Sequence, residues 1–150
     1  MRRLLYFKSI IWFSNFHRLI LSISRGKWMR RLNGLDMLLV STKGRKTGKI
    51  RKTPLLYIQL GNIYYSAASY GGNDSHPDWY LNILMDSDVV LLVDKKWVKA
   101  IAKVEVGASR SYAWTKLTDN YPAFENYQKK TSRLIPVVSF HVVNTQNSLM

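Results

Sequence analysis

Residues 43–52 read KGRKTGKIRK, six basic side chains in ten positions with Gly44 and Gly48 between them. Guanidinium and ammonium groups on glycine-relaxed backbone suit a phosphate- or carboxylate-bearing ligand. The run is not a nucleotide P-loop. That motif needs four residues between its glycines where this chain has three, and Ile50 stands where the magnesium-binding hydroxyl would be. A solvated hairpin is the other reading of the same residues. Little else offers chemistry. The chain has no cysteine, which excludes a disulfide framework, a thiolate zinc site, an iron–sulfur cluster and a cysteine nucleophile. His17, His76 and His141 are far apart and none has a histidine at i+4, so no metal site is expected. No Ser–His–Asp arrangement and no pair of carboxylates at helical spacing is visible.

Charge sharpens this reading. The 150 residues carry a formal net charge of +14, placed unevenly. Up to Lys52 there are 14 basic residues against one acid, Asp36; the rest of the chain is close to neutral, with 9 basic and 8 acidic. Such an excess implies an anionic partner: nucleic acid, anionic lipid or an anionic small molecule. Nucleic acid is not expected, because the aromatic residues are not interleaved with the basic run as a stacking platform requires.

The elements that must position the basic run follow from periodicity. MLLVST (37–42) and the stretch 50–60 flank it as strands, which makes it a loop between them. Gly61-Asn62 is a turn signal, so 50–60 and 62–69 read as a hairpin. A polar loop, YGGNDSHP (70–77), leads into a short helix over 78–84, with Pro77 in its first turn. Residues 89–94 and 96–106 form a second hairpin about Asp94, Lys95 and Lys96. In its second strand Trp97, Lys99, Ile101, Lys103 and Glu105 share one face and Val98, Ala100, Ala102, Val104 and Val106 the other. Residues 108–120 and 122–132 read as helices, and 134–143 as the last strand. Mostly hairpin order with inserted helices predicts an α+β fold built on an antiparallel barrel.

At helical spacing residues 4–23 read as a two-faced pattern, with Leu5, Trp12, Phe13, Phe16, Leu19, Ile20 and Ile23 on one side and Lys8, Asn15, Arg18, Ser22 and Arg25 on or near the other. Lys8, His17 and Arg18 interrupt the stretch, which argues against a membrane span, and it lacks a signal-peptide cleavage site. It suits a membrane interface, a cap on the domain's own core, or a dimer seam.

Four blocks in order, GRKTGKIRKTPLLYI, SAASYGG, HPDWYLNI and NYPAFENYQKKTSRLIPVV, resemble the deazaflavin-dependent nitroreductase family of the flavin-reductase-like split β-barrel superfamily. The resemblance runs from about residue 37 to 140. It implies a split barrel that binds the deazaflavin coenzyme F-420 in a basic groove and passes a hydride to quinones, nitro compounds or activated enones. The coenzyme carries a phosphodiester and several glutamates, a polyanion that suits the basic run. By resemblance Lys43, Arg45, Lys46 and Arg51 bind that tail, followed by Pro54. Ser69, Tyr70 and Gly71, with Gly72, meet the ring and ribityl chain, the glycines allowing close approach, and Trp79 stands at the groove edge. Tyr121, Tyr127 and Ser69 are the catalytic candidates. Phe124 occupies the middle position of the Y-P-x-Y-x-x-Y block, so a hydroxyl is missing there, which bears on nitro more than on quinone reduction. Packing of the barrel mouth is the alternative role for these rings, and core packing for Trp79.

The expected division is a helix and linker over 1–33, a cofactor-binding barrel over 34–143 and a tail over 144–150. The alternative cofactor is FMN or FAD on the same fold. The expected setting is cytoplasmic, peripheral on the inner face of the cell membrane through residues 2–25, as a monomer or homodimer.

Overall fold

Alternation of apolar and polar residues builds one curled antiparallel sheet at the centre of the described residues. The computed structural model describes residues 31, 32 and 35–143. The expected N-terminal helix and the tail lie outside these residues. The strands are β1 (Arg31–Leu32), β2 (Leu35–Lys43), β3 (Ile50–Leu56), β4 (Ile58–Leu60), β5 (Ile63–Ala67), β6 (Asp88–Val93), β7 (Lys96–Val104) and β8 (Val137–Val142). The helices are α1 (Asp78–Met85), α2 (Gly107–Asn120) and α3 (Ala123–Lys129), with a single 3-10 turn at Tyr70–Gly72. Every strand pairing is antiparallel, in the order β3-β2-β6-β7-β8-β5-β4, with β1 folded back on the start of β2.

The expected strand over 50–60 is broken at Tyr57, and the break closes the barrel. Its first part pairs with β2 and its second with β5, so one run of chain forms both edges of the sheet. Tyr57 N–H donates to the Asp36 carbonyl at 3.2 Å. The Ser66 hydroxyl donates across the seam to the Leu56 carbonyl at 2.8 Å. The β6–β7 turn is tighter than expected. Asp94 and Lys95 take φ values of 49° and 65°, as a two-residue primed turn requires, and Lys96 already pairs with Val93.

The interior of the barrel is filled by Leu38, Val40, Leu55, Leu91, Ala100, Val138 and Phe140, capped by Trp79 and Ile83 of α1. A second cluster lies between α2, α3 and the β5–β8 pair: Ala113, Leu117, Phe124, Ala67, Ile135 and Val137. Glu105 departs from its expected outward face. The strand ends at Val104, and Glu105 is 7% exposed. Its carboxylate accepts hydrogen bonds from Ser139 at 2.5 Å and Ser109 at 2.6 Å, and those partners hold it inside.

Candidate functional site

The basic run is the β2–β3 hairpin. Lys43 pairs with Ile50, and the residues between form a tight turn. Gly44 N–H donates to the Lys49 carbonyl at 2.8 Å, and Gly48 N–H to the Gly44 carbonyl at 2.7 Å. Gly48 sits at φ 67°, a conformation glycine adopts without a Cβ clash. These amides are satisfied by the turn itself, so it is no backbone cradle for phosphate, and its anion-binding capacity lies in side chains. Pairing then sorts those side chains. Thr42 lies opposite Arg51, whereas Ser41 lies opposite Lys52 and Leu39 opposite Pro54. Arg51 therefore projects from one face and Lys52 and Pro54 from the other. The Lys52 ammonium lies 4.8 Å from the Trp97 ring centre. Lys43, Lys46, Lys49 and Arg51 are exposed, with no acidic partner among the described residues.

Arg45 is engaged differently. Its Nη1 donates to Asp78 Oδ1 at 2.9 Å and to Asn82 Oδ1 at 3.2 Å. Its backbone N–H donates to the same Asn82 oxygen at 3.1 Å, and Asn82 Nδ2 donates to Thr42 Oγ1 at 3.1 Å. The hairpin is thus tied to the first turns of α1 through a buried asparagine.

The segment after β5 carries the second group of candidates. Tyr70, Gly71 and Gly72 take consecutive positive φ values of 48°, 64° and 79°. A non-glycine residue held there is strained backbone of the kind that clusters at functional sites. Gly72 makes a close approach to another part of the chain. A Cβ there would lie 2.6 Å from the Tyr127 carbonyl and 2.9 Å from the Lys130 Cβ, so the turn rests on α3.

One arginine with no assigned role in the sequence organises this turn. Arg133 Nε donates to the Asn73 carbonyl at 2.7 Å, and Nη2 to the Ser69 carbonyl at 2.8 Å. Both terminal nitrogens reach the Ala68 carbonyl at 3.2 Å. Nη1 also lies 3.2 Å from His76 Nδ1. Guanidinium donates only, so Nδ1 is the acceptor and the ring proton sits on Nε2. Burial, aided by the Arg133 charge, holds the His76 pKa below its ordinary value. The only signal in the sequence is an arginine at the head of the apolar run LIPVV, where a charge must reach water or find partners.

The aromatic block forms one cluster. The Tyr121 ring meets Phe124 at 5.0 Å, edge to face, and Tyr127 at 6.5 Å. Tyr121 and Tyr127 are half-buried, whereas Phe124 is 4% exposed and fills the second core cluster. Trp79 is a correction. At 5% exposure it is core and not groove edge, with its ring 6.3 Å from Phe140. In α1 the inward side comprises Trp79, Tyr80, Asn82 and Ile83, which leaves no open face for the indole.

Together these contacts make one continuous chain. The hairpin holds α1 through Arg45, Asp78 and Asn82. Tyr80 of α1 stacks on His76 at 4.9 Å. His76 meets Arg133, Arg133 holds Ser69, and Gly72 rests on Tyr127. These contacts link the hairpin, α1, the Ser69–Gly72 turn and α3 in succession, and set Pro54 on the opposite face of β3 and Trp79 in the core.

The sequence and the fold have known counterparts. The sequence pattern of F420H(2)-dependent quinone reductases matches residues 15–142. The chain belongs to the F420H(2)-dependent quinone reductase family. An F420H(2)-dependent quinone reductase of Mycobacterium tuberculosis is 36% identical over 126 residues, covering 81% of this chain and 85% of that protein. A solved F420-H2 dependent reductase superposes with a TM-score of 0.65 at 34% identity, covering 70% of this chain and 93% of its own. Another solved chain, described as a domain-swapped dimer, gives a TM-score of 0.66 at 29% identity, covering 85% of this chain and all of its own. The split-barrel fold of this quinone reductase is shared with both.

Proposed function

We propose that this quinone reductase holds the anionic tail of the deazaflavin coenzyme on Lys43, Lys46, Lys49 and Arg51 of the β2–β3 hairpin. The coenzyme ring meets the Ser69–Gly72 turn, and the acceptor lies between that turn and Tyr121 and Tyr127. Family membership makes the reaction hydride transfer from reduced coenzyme F-420 to a quinone. The observation that carries the site reading is the set of exposed cations on a hairpin that α1 ties to the strained turn. Arg45 stands apart from that set, since its Nη1 is engaged by Asp78 and Asn82, and its part is to anchor the hairpin on α1.

The residues present fit a polyanionic cofactor: cations in water, unpaired among the described residues, at the open end of a rigid hairpin. When bound, the reduced coenzyme supplies the hydride. The protein supplies the rest. The hairpin binds by charge-assisted hydrogen bonds, the turn fixes orientation, and α3 shields the turn from water. A tyrosine hydroxyl, from Tyr121 or Tyr127, donates to the acceptor oxygen and stabilises the negative charge it gains.

Titration of the purified protein with coenzyme F-420 at two salt concentrations tests this. Binding weakens at high salt, and Arg51→Ala or Lys46→Ala costs on the order of 1.5 kcal/mol, about tenfold in affinity. Unchanged affinity in both variants overturns the tail assignment, and tighter binding of FMN or FAD moves the reading to that alternative. Nitro compounds and activated enones are proposed as further acceptors, checked by turnover in the same assay.

Contact with a membrane is a separate proposal, supported by the basic and apolar sides of residues 2–25 and the lipid solubility of many quinones. Among the described residues no helix is long and apolar enough to cross a membrane. Full-length protein is expected to sediment with anionic vesicles and release at high salt, and a chain beginning at Gly34 to remain in the supernatant. Equal behaviour of the two removes the proposal. The domain-swapped relative favours a homodimer over a monomer, which sedimentation velocity decides.

A further inference from the structure

We propose that Arg133 is the positioning residue of the Ser69–Gly72 turn, and that neutral His76 is the acceptor that keeps its guanidinium in place. The inference rests on the reading that this turn meets the coenzyme ring, but its geometry is independent of it.

Three carbonyls of one segment, those of Ala68, Ser69 and Asn73, converge on a single guanidinium. Ala68 precedes the turn, Ser69 opens it and Asn73 follows it, so Arg133 spans both of its ends. Between them the backbone passes through three left-handed residues in a single 3-10 turn, outside any α-helix or sheet ladder. The short-range bonds in the turn are Gly72 N–H to Ser69 and Asn73 N–H to Tyr70, at 2.9 and 3.2 Å. Gly72 rests on α3 and Ala68 N–H donates to the Pro136 carbonyl at 2.8 Å; Arg133 adds the side-chain bonds that reach both ends of the turn. A planar fork can meet three carbonyls and a ring nitrogen at once, which a lysine ammonium on a flexible stem cannot.

His76 closes the fourth side. Its Nδ1 lone pair accepts from Nη1, and its ring lies on Tyr80 of α1. Protonation would put an N–H against N–H and a cation against a cation. The groups facing the pair are Arg133 itself, Tyr80 from α1 and Asp74 from the same loop, whose charge acts on Arg133. Asp74 favours the guanidinium but lies exposed, whereas Arg133 is half-buried. The arrangement is stable while His76 is neutral and loosens as acid protonates it.

The test uses full-length protein without coenzyme, then with it. Hydrogen-exchange protection of residues 68–73 is measured between about pH 8 and pH 5, where histidine titrates. In wild type, protection falls at the acid end. Arg133→Met loses protection in this segment by on the order of tenfold or more, as charge-assisted bonds are lost, while β6 and β7 stay protected. Arg133→Lys does not restore it. His76→Asn keeps an acceptor near the Nδ1 position that does not titrate, so protection is retained and becomes flat with pH. Coenzyme affinity follows the same order across the four proteins. Flat protection in wild type, or unchanged protection in Arg133→Met, overturns the proposal. Should Arg133→Met fail to fold, the comparison of His76→Asn with wild type decides it alone. If the exchange results hold but wild type binds no coenzyme, the functional reading fails and the positioning role stands.

Discussion

Arg45 and Arg51 are six positions apart in one basic run, yet their surroundings give them different work. Arg45 shares a buried asparagine and an exposed aspartate with its own chain, whereas Arg51 faces water. Arg51→Ala is therefore expected to leave stability within about 0.5 kcal/mol of wild type while weakening the coenzyme. Arg45→Ala is expected to lower stability by about 1 kcal/mol, since it also removes a partner from Asn82. Urea denaturation beside coenzyme titration separates the two, and equal stability loss in both variants would contradict the division. The same reasoning bears on Phe124. Its ring is packed in the second core cluster, so Phe124→Tyr adds a hydroxyl to a buried site and is expected to cost about 1–3 kcal/mol unless a partner is reached. Any gain in nitro turnover from that hydroxyl comes with this loss, and denaturation and nitro reduction measured on one preparation show both. Tyr127→Phe removes a hydroxyl from a half-buried ring. It is expected to lower quinone turnover with coenzyme affinity nearly unchanged; no change in rate with any acceptor would leave Tyr127 a packing residue.

At the scale of elements, α1 is a strut. Asp78 and Asn82 grip the hairpin from one side of the helix, and Tyr80, between them in sequence and on the other side, supports His76, so the spacing between the basic hairpin and the Ser69–Gly72 turn is set by one short helix. Asn82→Ala is expected to destabilise the protein by about 1–3 kcal/mol, because Thr42 and the Arg45 amide lose a buried partner. It is also expected to weaken coenzyme binding, although Asn82 is assigned no contact with it. Unchanged affinity in a destabilised variant would show that the hairpin holds its own shape. The strands flanking this strut were legible in the sequence, since alternation marks a half-buried strand wherever the partner strands stay the same. The break at Tyr57 was not. LLYIQL has no glycine or proline, and nothing local records that the run exchanges β2 for β5 as its neighbour. Trp79 could not be placed either, because an amphipathic pattern tells which side is apolar and not whether the barrel or a cofactor covers it. Arg133 was invisible in its role for a related reason: its partners are 57 to 65 residues away. The basic hairpin, being local, could be read directly, whereas the aromatic block was marked by family resemblance.

For the whole molecule the question is what holds a curled sheet closed when its charges repel. The seam at Tyr57 closes one side. On the other side, where β7 leaves the sheet for α2, the β7–β8 ladder is extended by Glu105, whose N–H donates to the Val137 carbonyl at 2.9 Å. Its carboxylate joins three elements: β8 through Ser139, α2 through Ser109, and the end of β7 on which it stands. Ser139 has one proton and gives it to Glu105, so His141 Nε2, 3.0 Å away, is the donor to Ser139. Burial alone would raise the pKa of Glu105. The hydrogen bonds from Ser109 and Ser139, with the charges of Lys103 and His141, outweigh it, and the pKa lies below the ordinary carboxylate value. The unfolded chain therefore binds this proton more readily than the folded one. The stability Glu105 contributes is full above the ordinary carboxylate pKa and is lost as pH falls through it towards the lower folded value. His76 acts in the same sense at higher pH, being held neutral in the fold. Two steps of acid weakening are thus expected, the first near the histidine range and the second in the carboxylate range. Glu105→Gln removes the charge but can still accept one hydrogen bond. It is expected to cost on the order of 1–3 kcal/mol at neutral pH and to flatten the second step while leaving the first. Urea denaturation of wild type and Glu105→Gln across the acid range measures this directly. A variant that keeps the wild-type loss of stability in the carboxylate range would show that other acids, and not the Glu105 junction, control acid unfolding of the barrel.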